Sequence, residues 1–232
     1  MYIFILGLDH SRTTISDIVL GDKIGAISLG EVRRTIYPKG KEADNIDFCS
    51  CGKKFEECEI WQEFLDGSLL TRKGVAIIDS SKDIHHYKTN FMNQDEVVTI
   101  LVLRKFRSWY SSILRSRIRN NRHKLRSVWS DKMFLSSNLR LYLRRFWLFA
   151  YLEWLITHVR FLLAIKGETY VISCSDDINR VAKELGKFSN TGSRHIVRGN
   201  RVLKNKSVEL KYFDERGILQ NFCRFYLEKK DG

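Results

Sequence analysis

Proline is nearly absent from this sequence, which has one proline, Pro38, in 232 residues. No stretch is rich in glycine or serine and no segment repeats, which excludes disordered low-complexity chains and solenoid repeat proteins. The best candidate for a membrane span, residues 141–165, contains four charged side chains and falls short of the roughly 20 apolar residues that cross a bilayer. We therefore expect no membrane span, and a buried amphipathic helix over residues 141–165.

A signal peptide is not expected either, because no basic region precedes the apolar residues 3–6 and this run is too short. Hydrophobic residues make up 44% of the sequence, which is enough for a large core. No change of composition along the chain marks a linker between domains. We predict a single domain over residues 1–232 and a cytoplasmic location.

Acidic residues are too few to balance the basic ones: 27 Asp and Glu stand against 40 Lys and Arg, giving a formal net charge of +13. Nine of the basic residues lie between positions 104 and 126. Three interpretations of this stripe stay open: a solvated helix face, a nucleic-acid footprint, and an electrostatic funnel for a polyanionic ligand. The second is the least favoured, because a polyanionic small molecule accounts for the charge, and we expect no nucleic-acid partner.

Apolar runs at residues 2–6, 75–78, 98–103 and 169–173 alternate with longer helical patterns. This alternation predicts an α/β fold with a central, mostly parallel sheet and helices on both faces. In such sheets ligands bind outside the carboxyl ends of the strands. Polar or charged segments follow three of these strands directly, so we expect them to converge on one edge of the sheet.

The first of these segments, residues 7–14, is a polar turn between the first strand and a helical pattern over residues 15–20. The N–H groups and positive dipole end at the start of a helix favour an anion, and two threonine hydroxyls, of Thr13 and Thr14, add donors. The spaced glycines and the Gly-Lys-Ser/Thr ending of nucleoside triphosphatase loops are missing. The pattern therefore predicts a phosphate-binding loop of another kind.

Four segments resemble motifs of sulfotransferases that use 3′-phosphoadenosine 5′-phosphosulfate (PAPS), and they follow one another along the chain in the same order as in that family. Residues 10–14, His-Ser-Arg-Thr-Thr, are similar to the loop that holds the 5′-phosphosulfate. Residues 101–107, together with Ser112, are similar to the segment that binds the 3′-phosphate. Residues 77–82 resemble the strand-end Asp-Ser-Ser-Lys of many bacterial members, and residues 195–201 resemble their late His-x-x-x-Gly-Asn segment.

The resemblance implies a P-loop-kinase-like, three-layer fold and an enzyme that transfers a sulfuryl group from PAPS to a hydroxyl or amine. It implies that the donor is bound by His10, Ser11, Arg12, Thr13, Thr14, Arg104, Ser112, Arg198, Gly199, Asn200 and Arg201. It further implies that His10 and Lys82 face the oxygen on which negative charge develops. No divalent metal is required by this scheme.

A Gly-Glu pair ends at Glu31 and resembles the pair in tyrosylprotein sulfotransferases in which the glutamate is the catalytic base. Glu31 stands twenty-one residues after His10, a separation like that in those enzymes. The resemblance implies that Glu31 takes the acceptor proton. Alternatives in which these residues have no role in binding or catalysis stay open: an exposed glutamate that starts a helix, a surface lysine at Lys82, and solvent-facing arginines at 198 and 201.

The loop departs from the family pattern at Arg12, where a glycine is usual. Glycine permits a positive φ or a close approach of phosphate to the backbone, and arginine allows neither easily.

Two alternatives to a sulfotransferase stay open: a small-molecule kinase, and a nucleic-acid-binding protein that uses the basic stripe. The acceptor is expected to be a small molecule or a glycan, and neither its identity nor the oligomeric state can be read from the sequence.

Three cysteines, Cys49, Cys51 and Cys58, cluster in a segment that resembles a Cys-x-Cys-Gly insertion of some bacterial sulfotransferases. Three thiols suggest a zinc site, but a closed site needs four ligands and the usual Cys-x-x-Cys spacing is absent. Cys174, Cys223 or a histidine would complete it only through the fold. Reduced structural cysteines, a metal site and a disulfide stay open, and we predict no metal.

Five aromatic residues fall around a helical pattern rather than along one stripe, and we expect them to pack in the core, with the alternative that one or two form a wall of the acceptor site. They are Phe146, Trp147, Phe149, Tyr151 and Trp154.

Overall fold

The structure is a computed structural model. It describes residues 1–8, 11–37, 48–90, 97–121, 146–188 and 193–197, and every structural statement below concerns these residues.

A five-stranded sheet lies at the centre of the chain. All of its neighbouring strands run parallel, which confirms the predicted α/β class. The strand order is β2-β3-β1-β4-β5. The strands are β1 (Tyr2–Gly7), β2 (Ile27–Gly30), β3 (Ile77–Asp79), β4 (Val97–Val102) and β5 (Thr169–Ile172).

The two central strands are apolar along almost their whole length because helices cover both faces of the sheet. Every residue of β1 and β4 is buried. The two strands pair in register from Tyr2 opposite Val97 to Gly7 opposite Val102. The residues that follow Gly7 and Val102 therefore leave the sheet side by side.

Eight helices lie within the described residues, with one 3₁₀ turn at Phe55–Glu57. Side chains of the first and last helices pack on one face of the sheet, while side chains of the fifth and seventh pack on the other. These contacts form three layers. The helices are α1 (Thr13–Ile24), α2 (Val32–Ile36), α3 (Glu59–Leu65), α4 (Ser68–Thr71), α5 (Ile84–Asn90), α6 (Phe106–Asn121), α7 (Trp147–Ala164) and α8 (Ser175–Leu185).

The strand β2, which follows β1 in the chain, and the strand β5, which follows β4, lie on opposite sides of the β1–β4 pair. From β1 the chain passes through α1 to β2, on one side of β1, whereas from β4 it continues to β5 on the other side. The gap between the carboxyl ends of β1 and β4 is thus the point at which the strand order reverses. In open parallel sheets this is where ligands bind.

The prediction of core packing on α7 is correct for Trp154, which is 5% exposed, and wrong for Phe146, Trp147 and Phe149, which are about half exposed. The reason is the helical period: the buried face of α7 repeats at Ala150, Trp154, His158 and Phe161, and the other aromatics lie off that face.

Among the described residues, α7 is the one helix whose length and composition are compatible with crossing a membrane, and about a third of it is buried in the protein. Core helices pass the same test, so the described part of the chain has no clear membrane span.

Candidate functional site

The turn after β1 folds back on itself and starts α1. The backbone N–H of Ser11 donates to the carbonyl oxygen of Leu8 at 2.9 Å, and the Ser11 hydroxyl donates to the same oxygen. The Ser16 N–H donates to the Arg12 carbonyl oxygen at 2.9 Å, which begins the helical hydrogen bonding. The Ser11 hydroxyl hydrogen is therefore engaged within the turn, so the hydroxyl shapes the loop.

The two threonines of the predicted loop occupy the first turn of α1 and are both buried. The Thr13 hydroxyl oxygen is buried and has no hydrogen-bond partner among the described residues. A buried hydroxyl without a partner is costly unless a ligand or water meets it. Thr13 is therefore the residue of the loop whose surroundings most favour a bound polar group.

Arg12 adopts a left-handed backbone conformation, which glycine adopts more readily than any other residue. Its φ is 70° and its ψ is 20°, in the left-handed region, and it precedes the first residue of α1. Arginine at this position therefore does not prevent a positive φ, although it adopts one less easily than glycine does. The hydrogen bonds of the turn on either side hold it there, at a cost of about 1–2 kcal/mol.

Close packing at Gly7 keeps this turn against the end of β1. A Cβ at Gly7 would lie 2.6 Å from the Ser11 hydroxyl oxygen and 2.7 Å from a Thr13 methyl carbon. No side chain fits there without movement of the loop.

Glu31 lies directly after β2 and forms two ion pairs. Its Oε1 accepts from Lys82 Nζ at 2.7 Å, and its Oε2 accepts from Arg34 Nη1 at 2.8 Å. Burial of the carboxyl raises its pKa, but the charges and hydrogen bonds of Lys82 and Arg34 outweigh this effect, so the pKa is lowered. Glu31 is 5% exposed, so the alternative of an exposed glutamate is wrong.

Lys82 reaches Glu31 across 51 residues because β2 and β3 are neighbours in the sheet. The Ser80 N–H donates to the Gly30 carbonyl oxygen at 2.8 Å, which holds the two strand ends together. The side chain of Lys82 is 17% exposed, and its backbone φ is 63°. Lys82 is thus a partly buried member of an ion-paired cluster and not a free surface lysine.

Two buried carboxylates, Asp17 and Asp79, support this edge and were missed by the sequence reasoning. Asp79 accepts from the Tyr2 hydroxyl at 2.9 Å and from the Ser81 N–H at 2.8 Å. Asp17 accepts from the Ser80 hydroxyl at 2.9 Å. From the sequence, Asp79 was noted only as part of the Asp-Ser-Ser-Lys motif. Asp17 could have been noticed as an acidic residue directly before the apolar residues 18–20 of α1.

Arg104 follows β4 and is 7% exposed. Its Nε donates to the Ser108 hydroxyl at 2.9 Å, and its carbonyl oxygen accepts from Trp154 Nε1 at 3.1 Å. Since β4 pairs with β1, Arg104 and the loop that contains Thr13 lie at the same edge of the sheet.

The predicted Ser112 lies on α6, one turn beyond Ser108, and is half-buried. Ser108 was missed, because Arg104 precedes α6 and the helical spacing of four residues does not apply to this pair.

Five predicted donor-binding residues lie outside the described residues: His10, Arg198, Gly199, Asn200 and Arg201. Their predicted roles stay predictions.

A separate cluster contains four potential metal ligands, Cys49, Cys51, Cys58 and His195. The sequence reasoning predicted no metal and did not identify His195 as the fourth ligand. Its separation from Cys58, 137 residues, hides it from any local motif.

Comparisons with protein-family models, with curated proteins and with solved structures found no match to this chain. The functional reasoning therefore depends on the geometry of the site and on the resemblance of its motifs.

Proposed function

We propose that the protein is a PAPS-dependent sulfotransferase of small molecules or glycans, acting in the cytoplasm. The observation that carries the proposal is the meeting of three groups at one sheet edge: the turn at the start of α1, the Glu31–Lys82 ion pair, and Arg104. Each follows a different strand of one parallel sheet, at the edge where ligands bind in this architecture.

The turn after β1 is suited to the 5′-phosphosulfate of the donor. The unpaired N–H groups and the positive end of the dipole at the start of α1, a helix of 12 residues, favour an anion. The buried, unpartnered hydroxyl of Thr13 offers a donor at the same place. The left-handed backbone of Arg12 supports the proposal too, because it is the conformation for which the family's glycine is suited.

Arg104 is suited to the 3′-phosphate. A guanidinium group binds phosphate through two parallel N–H bonds, provided that its plane is held in place. The hydrogen bond from its Nε to Ser108 orients that plane. In this proposal Ser112, further along α6, adds a hydroxyl to the same phosphate.

Sulfuryl transfer resembles phosphoryl transfer, in which the protein mainly positions the reactants and stabilises charge on the leaving group. In the proposed reaction an acceptor O–H or N–H gives its proton to Glu31. The acceptor atom forms a bond to sulfur while the bond from sulfur to the bridging oxygen breaks. That electron pair leaves on adenosine 3′,5′-bisphosphate (PAP).

The Glu31–Lys82 ion pair couples proton transfer from the acceptor to stabilisation of the leaving group. When Glu31 accepts the proton it loses its charge, and its attraction for Lys82 Nζ falls. Lys82 is then available to stabilise the bridging oxygen as negative charge develops there. The pKa of Glu31 is lowered, so it is a weak base that takes the acceptor proton as the bond from sulfur to the bridging oxygen breaks.

The proposal is tested by thermal unfolding in the presence of PAP, ATP or AMP. We expect PAP to raise Tm more than ATP or AMP, since a ligand that binds the folded state stabilises it. Arg104→Ala is expected to abolish the preference for PAP over AMP. Arg107→Ala removes the same charge from an exposed position of α6 and should keep the preference.

Greater stabilisation by ATP with Mg²⁺ than by PAP would favour a kinase instead. An unchanged preference in Arg104→Ala would exclude that residue from the 3′-phosphate site.

The role of Glu31 is tested separately by Glu31→Gln. Removing the carboxylate charge leaves Lys82 and Arg34 to face an anion, so PAP affinity should be maintained or increased. Release of PAP from PAPS, followed with a panel of hydroxyl and amine acceptors, should be about 10²–10⁴-fold slower. A variant that turns over at the normal rate would show that the base lies elsewhere.

A further inference from the structure

Cys49, Cys51, Cys58 and His195 bring four ligand atoms within 4.8 Å of one another. Cys49 and Cys51 lie in a tight turn, Cys58 immediately precedes α3, and His195 belongs to the late segment 193–197. Cys49 and Cys58 are buried, His195 is partly buried and Cys51 is exposed. The four side chains thus come from three separate segments of the chain.

The distances match those between the ligands of one tetrahedral ion. The Sγ atom of Cys58 lies 3.7 Å from Cys49 Sγ, 3.7 Å from Cys51 Sγ and 3.2 Å from His195 Nδ1. Cys49 Sγ lies 3.7 Å from His195 Nδ1. Zn–S bonds of about 2.3 Å and Zn–N bonds of about 2.0–2.1 Å, at tetrahedral angles, separate two sulfurs by about 3.8 Å and a sulfur from a nitrogen by about 3.5 Å.

A disulfide does not account for this arrangement. Bonded sulfurs lie about 2.05 Å apart, and all three cysteines here are free. Four ligands of the Cys₃His type are instead the usual set for structural zinc. Thiolate ligands also select against Mg²⁺ and Ca²⁺, which prefer oxygen.

We propose that Cys49, Cys51, Cys58 and His195 bind one Zn²⁺ in a closed, structural site.

The backbone around the cysteines is arranged as zinc–thiolate sites require. Backbone hydrogen bonds reach the sulfur of Cys49 from Cys51, that of Cys51 from Lys53, and that of Cys58 from Trp61. N–H groups that point at sulfur stabilise a metal-bound thiolate and fix its direction. The turn that supplies the first two of these bonds is closed by the Cys49 N–H, which donates to the Lys53 carbonyl oxygen at 2.9 Å.

His195 is held at the cluster by its own backbone. Its N–H donates to the Ser28 carbonyl oxygen on β2 at 2.8 Å, and its carbonyl oxygen accepts from Trp61 Nε1 at 2.7 Å. The next residue, Ile196, accepts from the Ser50 N–H at 3.0 Å. The imidazole is thus presented to the thiols by a segment fixed between the sheet and the cysteine turn.

Zinc at this position would join the cysteine turn, α3 and the late segment to the edge strand β2. No ligand position is left for a substrate, so the ion stabilises the fold and takes no part in chemistry. The proposal does not depend on the sulfotransferase assignment, since metal content is measured without donor or acceptor.

The experiment is elemental analysis of the full chain, purified under reducing conditions without chelator. We expect one zinc per chain, and we expect Co²⁺ added to the metal-free protein to give the visible absorption of a tetrahedral, thiolate-rich site. Cys51→Ser alters an exposed ligand without opening the core, and its zinc affinity should fall at least about tenfold. Cys174→Ser alters a buried cysteine outside the cluster and should keep one zinc.

A second pair of variants covers the case in which Cys51→Ser does not fold. His195→Cys replaces one zinc ligand by another and should retain the metal, whereas His195→Phe should lose it. Wild-type protein without zinc, or equal zinc affinity in Cys51→Ser and wild type, would overturn the proposal. So would a disulfide between two of the three cysteines in mass spectrometry of the non-reduced protein.

Discussion

Asp17 gives the sharpest test of the electrostatics at the sheet edge. Its side chain is fully buried on α1, and one of its oxygens accepts from the Ser80 hydroxyl at 2.9 Å. Burial raises the pKa of Asp17 from 3.8 to about 7, and the nearby charge of Asp79 adds to this, while the hydrogen bonds from Ser28 and Ser80 oppose it. The folded state therefore favours the protonated carboxyl.

The size of the effect follows from the shift of about three pKa units. Each unit corresponds to about 1.4 kcal/mol, so ionising Asp17 in the folded state costs at most about 4 kcal/mol. Because the folded pKa is the higher one, the stabilising contribution is complete below about pH 4 and is lost as the pH rises to about 7. Asp17→Asn stays neutral and avoids this loss.

Relative to wild type, we expect the free energy of unfolding of Asp17→Asn to be larger at pH 8 than at pH 4.5 by up to about 3 kcal/mol, since the carboxyl of the unfolded chain is already mostly ionised at pH 4.5. Urea unfolding at both pH values measures this difference. Glu56→Gln makes the same change of charge at an exposed position and should not reproduce it. Equal pH dependence in Asp17→Asn and wild type would refute the reasoning that an ionised Asp17 is costly.

Three further substitutions test the site's local geometry, all by urea unfolding. Arg12→Gly should raise stability by up to about 1 kcal/mol, since glycine adopts the left-handed backbone without strain; a clear loss would show that the arginine side chain matters more than its φ. Gly7→Ala should destabilise by about 1–3 kcal/mol, because its Cβ overlaps the turn, and a neutral result would contradict that packing. Trp61→Phe should cost about 1–2 kcal/mol through the bond lost to the His195 carbonyl oxygen, and an unchanged stability would show that this bond contributes nothing.

The sheet was largely predictable because β1 and β4 are buried on both faces and therefore read as continuous apolar runs. The location of the site followed from the same strands, since polar segments begin where those strands end. By contrast, β2 was not identified as a strand: it spans four residues and ends in Ser-Leu-Gly, so its burial depends on its neighbour β3.

The partners within the site were not predictable from local pattern. Glu31 and Lys82 meet because two short strands happen to be neighbours, and His195 meets Cys58 through a segment 137 residues away. The left-handed conformation of Arg12 was not predictable because residue preference disfavours it, whereas the hydrogen bonds of the turn hold it. In each case a contact distant in sequence or a neighbouring hydrogen bond outweighed the local preference.

The attachment of the 193–197 segment has a consequence for the order of folding. Ribosomes release the N-terminal part first, so the cysteine turn and α3 emerge well before residue 195 is made. Until then Trp61 Nε1, the Ser50 hydroxyl and the Ser28 carbonyl oxygen lack the partners they have in the finished protein. The attachment of residues 193–197 is therefore a late step of biosynthesis, and a nascent chain stalled before residue 193 would lack the imidazole that lies beside the Cys49 and Cys58 thiols.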